Sequence, residues 1–310
     1  MEYNSLHINI NLDSYTHPYK VKLNLPRRKI ICLDELKLIY DWDQEDVFLI
    51  EYMGQSEILK NKLTSLNEII SFLYKYNIGL IDDDRIRRCN IEYNKIDKYE
   101  GKNKNAENLK KFISIYNQTE NLKKKRLDIC IRLFNKAIYF RELELIEESY
   151  IYLYKIIEII SNEVVNKAYI ENNLKGIEAD TNLDIIIKKY LCKDNGINNY
   201  PDIVATIKNK LIDRYSSAKI KLYHLNKYIG KDIIDMDTIK KIVAFRNKLS
   251  HANPYIDNKI EFNNIFLKLI EYVPEIICKY YLEIDYKNIC CKLDCQFDKD
   301  IKFGESIIVR

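Results

Sequence analysis

Glycine and proline are scarce in this 310-residue sequence, at seven and five residues. The shortage excludes a sandwich or propeller built on many tight turns and favours long helices. The few glycines also exclude two nucleotide-binding classes. A phosphate-cradling loop needs clustered glycines so that backbone N–H groups can approach the ligand, and neither GxGxxG nor GxxxxGK[ST] occurs. HExxH and the GxSxG elbow are missing too, which removes the usual signs of zinc hydrolysis and acyl transfer. With only His7, His17, His224 and His251, no multi-histidine metal site is expected. Apolar runs are short. IYLYKIIEII is broken by charge well before a membrane-spanning length, and MEYNSLHINI lacks the basic-then-apolar order of a signal peptide. A cytoplasmic protein without membrane contact, metal or cofactor is therefore expected.

Hydrophobic residues make up 47% and charged residues 31% of the chain, the balance of a globular protein. Ile, Asn, Lys and Tyr are used heavily, a bias read as nucleotide composition, so the 25 Tyr do not by themselves signal base stacking. The eight Cys are scattered. Cys290, Cys291 and Cys295 cluster without CxxC spacing or a nearby His, and are read as thiols of a reducing compartment rather than zinc ligands. Net charge is only +4, but residues 101–126 carry eight basic side chains against Glu107 and Glu120. Lys123, Lys124, Lys125 and Arg126 end that run. It reads either as a solvated face or as a surface for phosphates.

Along the chain, LHINI, YKVKLNL and VFLIEY alternate as strands do, and a helix is predicted from about Ser56 to Tyr76. The sequence divides into a mixed α/β module expected to sense or regulate (1–80), a basic linker or connecting segment (81–120), a helical bundle (121–290) and a tail (291–310). The expected class is α+β, mainly α. Ile146, Tyr150, Leu153, Ile157, Ile160 and Val164 recur at helical spacing. Further helices are predicted over about 202–228, 237–252 and 259 to the low 280s, the last kinked or split by Pro274. The tail either adds a short strand or packs along the surface.

One stretch stands out, KIVAFRNKLSHAN at 241–253. On a helix Ile239, Ile242, Val243, Phe245 and Leu249 form an apolar arc with Arg246 inside it. A guanidinium so placed must meet a carboxylate, reach a cleft or bind an anion, because burying it unpaired is costly. Asn247 and His251 are four apart on an adjoining face. Pro254 disfavours helix at Asn253, which puts His251 in the last turn, where the helix dipole favours its protonated form.

These residues resemble a known signature. RNKLSH is similar to the R-x4-6-H motif of the HEPN superfamily, in which a polar residue, often Asn, follows the Arg. It is the one Arg-x4-His pair in the chain. RLFNKAIYF followed by LYKIIEII resembles the first two helices of Apea-like HEPN domains, where a Glu is common in the second. The resemblance covers about 125–285. It implies a metal-independent endoribonuclease whose site forms between two copies of the motif in a homodimer, associated with antiviral defence or toxin systems, with a regulatory or antitoxin protein as a partner such systems suggest. His251 would be the acid or base at the 2′-OH or leaving 5′ oxygen, Arg246 would stabilise the phosphorane-like charge, and Asn247 would orient His251 or the phosphate. Glu158 would support Arg246, and Lys248 would join the 123–126 run in binding RNA. The dimer contact is expected at the rim of the motif helix, near Val243, Asn247, Ser250 and His251.

Blander readings stand beside these. His251 as a helix-terminal histidine, Arg246 as a structural ion pair and Glu158 as a partner of Lys155 or solvent together describe a catalytically silent HEPN-like module that binds RNA or protein in a larger defence assembly.

Overall fold

The computed structural model describes residues 4–9, 19–27, 29–33, 36–41, 47–52, 56–78, 86–89, 98, 100–166, 217–230, 234–250, 256 and 258–297, with isolated positions at 169, 172, 185, 206 and 210. The fold is mainly α with a smaller β part. The first unit comprises residues 1–149 and 277–310, and the second residues 150–276.

In the first unit, β1 (Asn4–Asn9), β3 (Ile30–Leu33), β4 (Leu36–Asp41), β5 (Val47–Tyr52) and β6 (Ile86–Cys89) form an antiparallel sheet in the order β3-β4-β5-β1-β6. Registers such as Leu6 opposite Ile50 and Ile8 opposite Phe48 match apolar residues across neighbouring strands. The tail does add a strand: β7 (Asp294–Phe297) pairs antiparallel with β2 (Tyr19–Lys22), Val21 opposite Cys295.

Among the described residues, α1 (Ser56–Tyr74), α2 (Lys104–Gln118) and α3 (Asn121–Glu142) lie wholly in this unit. Phe72 of α1 is their common centre. It meets Phe112 of α2 at 6.0 Å, Phe134 of α3 at 5.4 Å and Tyr286 at 5.3 Å between ring centroids. All three Phe are fully buried, each contributing about 1.5–3 kcal/mol. Tyr286 also donates to the carbonyls of Phe72 and Leu73 at 2.8 and 3.0 Å, tying the C-terminal segment to the end of α1.

Residues 81–120 therefore differ from the expected connection. They hold β6 and the whole of α2, and α3, expected with the bundle, clusters with the sheet unit. The physical reason is polar burial. Asn105 and Asn108 sit on the inner face of α2 and hide its apolar stripe of Ala106, Leu109, Phe112, Ile113 and Tyr116. They are satisfied there by main chain. Asn105 Nδ2 donates to the carbonyls of Leu23 (2.9 Å) and Lys292 (2.8 Å) and its Oδ1 accepts from Lys292 N–H (3.1 Å), while Asn108 donates to Cys290 (2.7 Å).

The second unit contains most of α4 (Ile146–Val164), with α5 (Ala218–Tyr228), α6 (Met236–Ser250) and α7 (Lys259–Ile277). Phe262 of α7 receives Tyr150 of α4 at 5.1 Å and Phe245 of α6 at 5.2 Å. Helix α7 is not split: it continues through the buried Pro274, then widens into a π turn at Cys278–Leu282. No described helix is long and apolar enough to cross a membrane. Cys130, Cys278 and Cys291 are buried thiols, and burial pushes Cys291 up to about 12.

Candidate functional site

Helix α6 forms because Ile239, Ile242, Val243 and Phe245 return on one face, and all four are buried. The expected arc is real, with two adjustments. Leu249 is half-buried, and Val243, expected at the rim, is only 4% exposed. The exposed side instead carries Lys240, Ala244, Asn247, Lys248 and Ser250.

Two rungs join α4 to α6. Tyr150 donates its hydroxyl to the Ile242 carbonyl at 2.7 Å in a fully buried contact. One turn further along both helices, the Arg246 guanidinium lies over the Tyr154 ring, 5.3 Å from its centroid. One more turn of α4 brings Glu158 Oε1 to 3.4 Å from Arg246 Nη2. Tyr150, Tyr154 and Glu158 share a face at four-residue spacing, so a single helix supplies the anchor, the ring and the carboxylate.

Of the three options for Arg246, the structure takes the carboxylate. The pairing is loose: 3.4 Å exceeds the 2.7–2.9 Å of a strong charge-assisted bond, and the side chains are 36% and 44% exposed. Such a pair contributes about 0–1 kcal/mol. Nη1 donates to Asn247 Oδ1 at 3.2 Å, so Asn247 faces its neighbour Arg246. The Tyr154 ring is almost wholly buried, which raises the hydroxyl's pKa; Arg246 opposes that shift and Glu158 adds to it.

The arrangement offers a half-exposed guanidinium fork, steadied by an aromatic face and two oxygen acceptors, to an incoming anion. Arg246, Asn247 and Glu158 are brought together. His251 follows directly on the last residue of α6 and lies outside the described residues. Lys248 is exposed in the last turn. Sequence reasoning missed Tyr154, which reads as one more core aromatic; its signal was the spacing of four before Glu158.

The other candidates belong to the sheet unit. Lys123, Lys125 and Arg126 are exposed in the first turns of α3, where they reinforce the partial positive charge of the helix N-terminus. Lys124 is half-buried and engaged locally, 4.1 Å above the Tyr116 ring and 3.4 Å from Asn117 Oδ1. An open groove of about 800 Å³ runs beside α6 and α7, lined by Asp237, Lys241, Glu261, Asn264, Leu267 and Lys268 among others. Among the described motif residues, Arg246, Asn247 and Lys248 do not line it.

In comparisons with protein-family models, curated proteins and solved structures, nothing matches this chain.

Proposed function

We propose that the protein is a metal-independent endoribonuclease of HEPN type, acting as a homodimer in antiviral defence or a toxin-like system. The supporting observation is Arg246: a guanidinium held over Tyr154, paired at only 3.4 Å with Glu158, partly open to solvent, and five residues before His251 in sequence. The chemistry suits these side chains. His251 takes the proton of the 2′-OH as its oxygen attacks phosphorus, and a histidine returns a proton to the 5′ oxygen as the P–O5′ bond breaks. Arg246 offers two N–H groups to the equatorial oxygens as charge builds. Products are a 2′,3′-cyclic phosphate and a 5′-OH. Asn247, on the exposed side of α6, orients His251 or the phosphate, and Lys248 and the 123–126 run attract the backbone.

A second reading has its own support. The Arg246–Glu158 pair also fits a structural role, which would make the unit a silent RNA- or protein-binding module. Incubation of the purified protein with total RNA in EDTA separates the two. Cleavage that persists in EDTA and fails in His251→Ala and Arg246→Ala supports the enzyme; cleavage lost on chelation, or undiminished in either variant, overturns it.

A further inference from the structure

We propose that the outer face of α3 is a docking surface for a partner protein that presents an acidic amphipathic helix. The inference stands apart from the ribonuclease reading, since it concerns what sits on the sheet unit whether or not the chain cuts RNA.

Helix α3 is fixed in its core by Leu127, Cys130, Ile131, Phe134, Ala137 and Ile138, all buried. On the opposite side, at 100° per residue, Leu122, Ile129, Leu133 and Phe140 fall within about 40° of one another and make a ridge about 27 Å long. Leu122 is 61% exposed and Ile129 46%, while Leu133 and Phe140 are half-buried. Tyr139 is exposed too and meets Phe140 edge to face at 5.7 Å, widening the ridge at its C-terminal end. Five of the ten large apolar or aromatic side chains exposed among the described residues lie between Leu122 and Leu145, so the exposure is concentrated here rather than scattered singly over the surface.

The charge beside the ridge has one sign. Lys125, Arg132 and Lys136 follow one flank, Arg126 and Lys123 the other, and all five are exposed. The acids of α3 are engaged elsewhere: Asp128 accepts the Tyr116 hydroxyl at 2.6 Å, and Glu142 accepts the Asn77 N–H at 3.1 Å. Arg132 lies 3.7 Å from Glu68, and Arg126 and Lys136 have contacts of their own. The unmatched charge is therefore that of Lys123 and Lys125, which meet no acid among the described residues.

An apolar ridge between cations is matched by a helix that carries apolar anchors three and four apart with acids beside them. RNA fits this face less well, because Leu122, Ile129 and Leu133 offer neither a flat ring for a base nor a donor for a phosphate. A lipid surface fits less well because the ridge is one side chain wide and the rest of α3 is held in the core, so it cannot sink into the acyl boundary. A partner seated here also covers Lys123 and Lys125, and so competes with RNA for that run.

The test uses the full chain and a fluorescein-labelled peptide of about 18 residues, with leucines three and four apart and glutamates on both flanks, read by anisotropy beside a scrambled peptide of the same composition. The patterned peptide should bind roughly tenfold or more tightly than the scrambled one. Ile129→Ser should weaken its binding roughly fivefold or more, and Leu122→Ser repeats the test at a more exposed position should Ile129→Ser lose helical content. Lys123→Ala with Lys125→Ala should weaken binding at low salt and reduce its salt dependence. Equal binding of the two peptides, no binding of either, or patterned-peptide binding unchanged in the ridge and lysine variants overturns the inference. So do variants that lose oligouridylate, or vesicles containing phosphatidylserine, while keeping the peptide: the first result marks a nucleic-acid surface and the second a lipid surface. RNA cutting does not enter these readouts, so this inference and the ribonuclease reading fail separately.

Discussion

Arg246 sits where several weak contacts meet, each too small to hold it alone. The half-exposed Glu158 pair is worth about 0–1 kcal/mol and the Tyr154 face about 0.5–1 kcal/mol. Glu158→Gln should therefore shift stability by less than about 1 kcal/mol in chemical denaturation. Arg246→Lys keeps the charge but loses the planar fork, and the cleavage rate should fall on the order of 10²-fold. Arg246 was legible because a cation inside an apolar arc is an anomaly that demands an explanation. Tyr154 was not, since a ring that packs and a ring that supports a guanidinium leave the same mark in the sequence. A different residue-scale expectation concerns Glu142, which accepts the Asn77 N–H at 3.1 Å and which burial pushes up to about 7. Its folded pKa lies above the ordinary 4.5, so its contribution is fully present below about 4.5 and lost as pH rises towards 7. Glu142→Gln keeps an acceptor for Asn77 and removes the charge. Thermal unfolding should show that variant stabilised by about 1–3 kcal/mol at pH 8 and nearly unchanged at pH 4.5.

At the scale of elements, periodicity was informative wherever the inner face is apolar and silent where it is polar. Helix α4 follows the predicted stripe because Tyr150, Leu153, Ile157 and Ile160 are all fully buried. Helix α2 escaped notice because Asn105 and Asn108 occupy inner positions, and their partners are carbonyls of residues 23, 290 and 292, far away in sequence. No local pattern encodes such partners. Asn105→Leu leaves those main-chain groups unmatched and should cost about 2–4 kcal/mol, measured as a drop in unfolding midpoint. The join of α4 to α6 makes the same point from the other side: Tyr150→Phe removes the bond to Ile242 while preserving volume, and should cost about 1 kcal/mol.

For the molecule as a whole, the scarcity of Gly and Pro pointed to long helices and the alternating N-terminal segments to a smaller β part, whereas the grouping of elements depended on contacts that sequence spacing does not record. Phe134 of α3 meets Phe72 of α1 through tertiary packing, and α3 groups with the sheet unit. The ribonuclease account needs two copies of the motif around one phosphate, and the exposed motif positions Asn247, Lys248 and Ser250 are available to a second chain. Asn247→Trp should lower the dimer mass in light scattering and the cleavage rate together, with helical content retained. The most direct test of the central claim is the end chemistry of RNA cut in EDTA by wild type, Arg246→Ala and His251→Ala. The account predicts 2′,3′-cyclic phosphate and 5′-OH ends from wild type, reduced roughly 10²- to 10⁴-fold in both variants; 3′-OH ends, or equal yields from all three proteins, would contradict it.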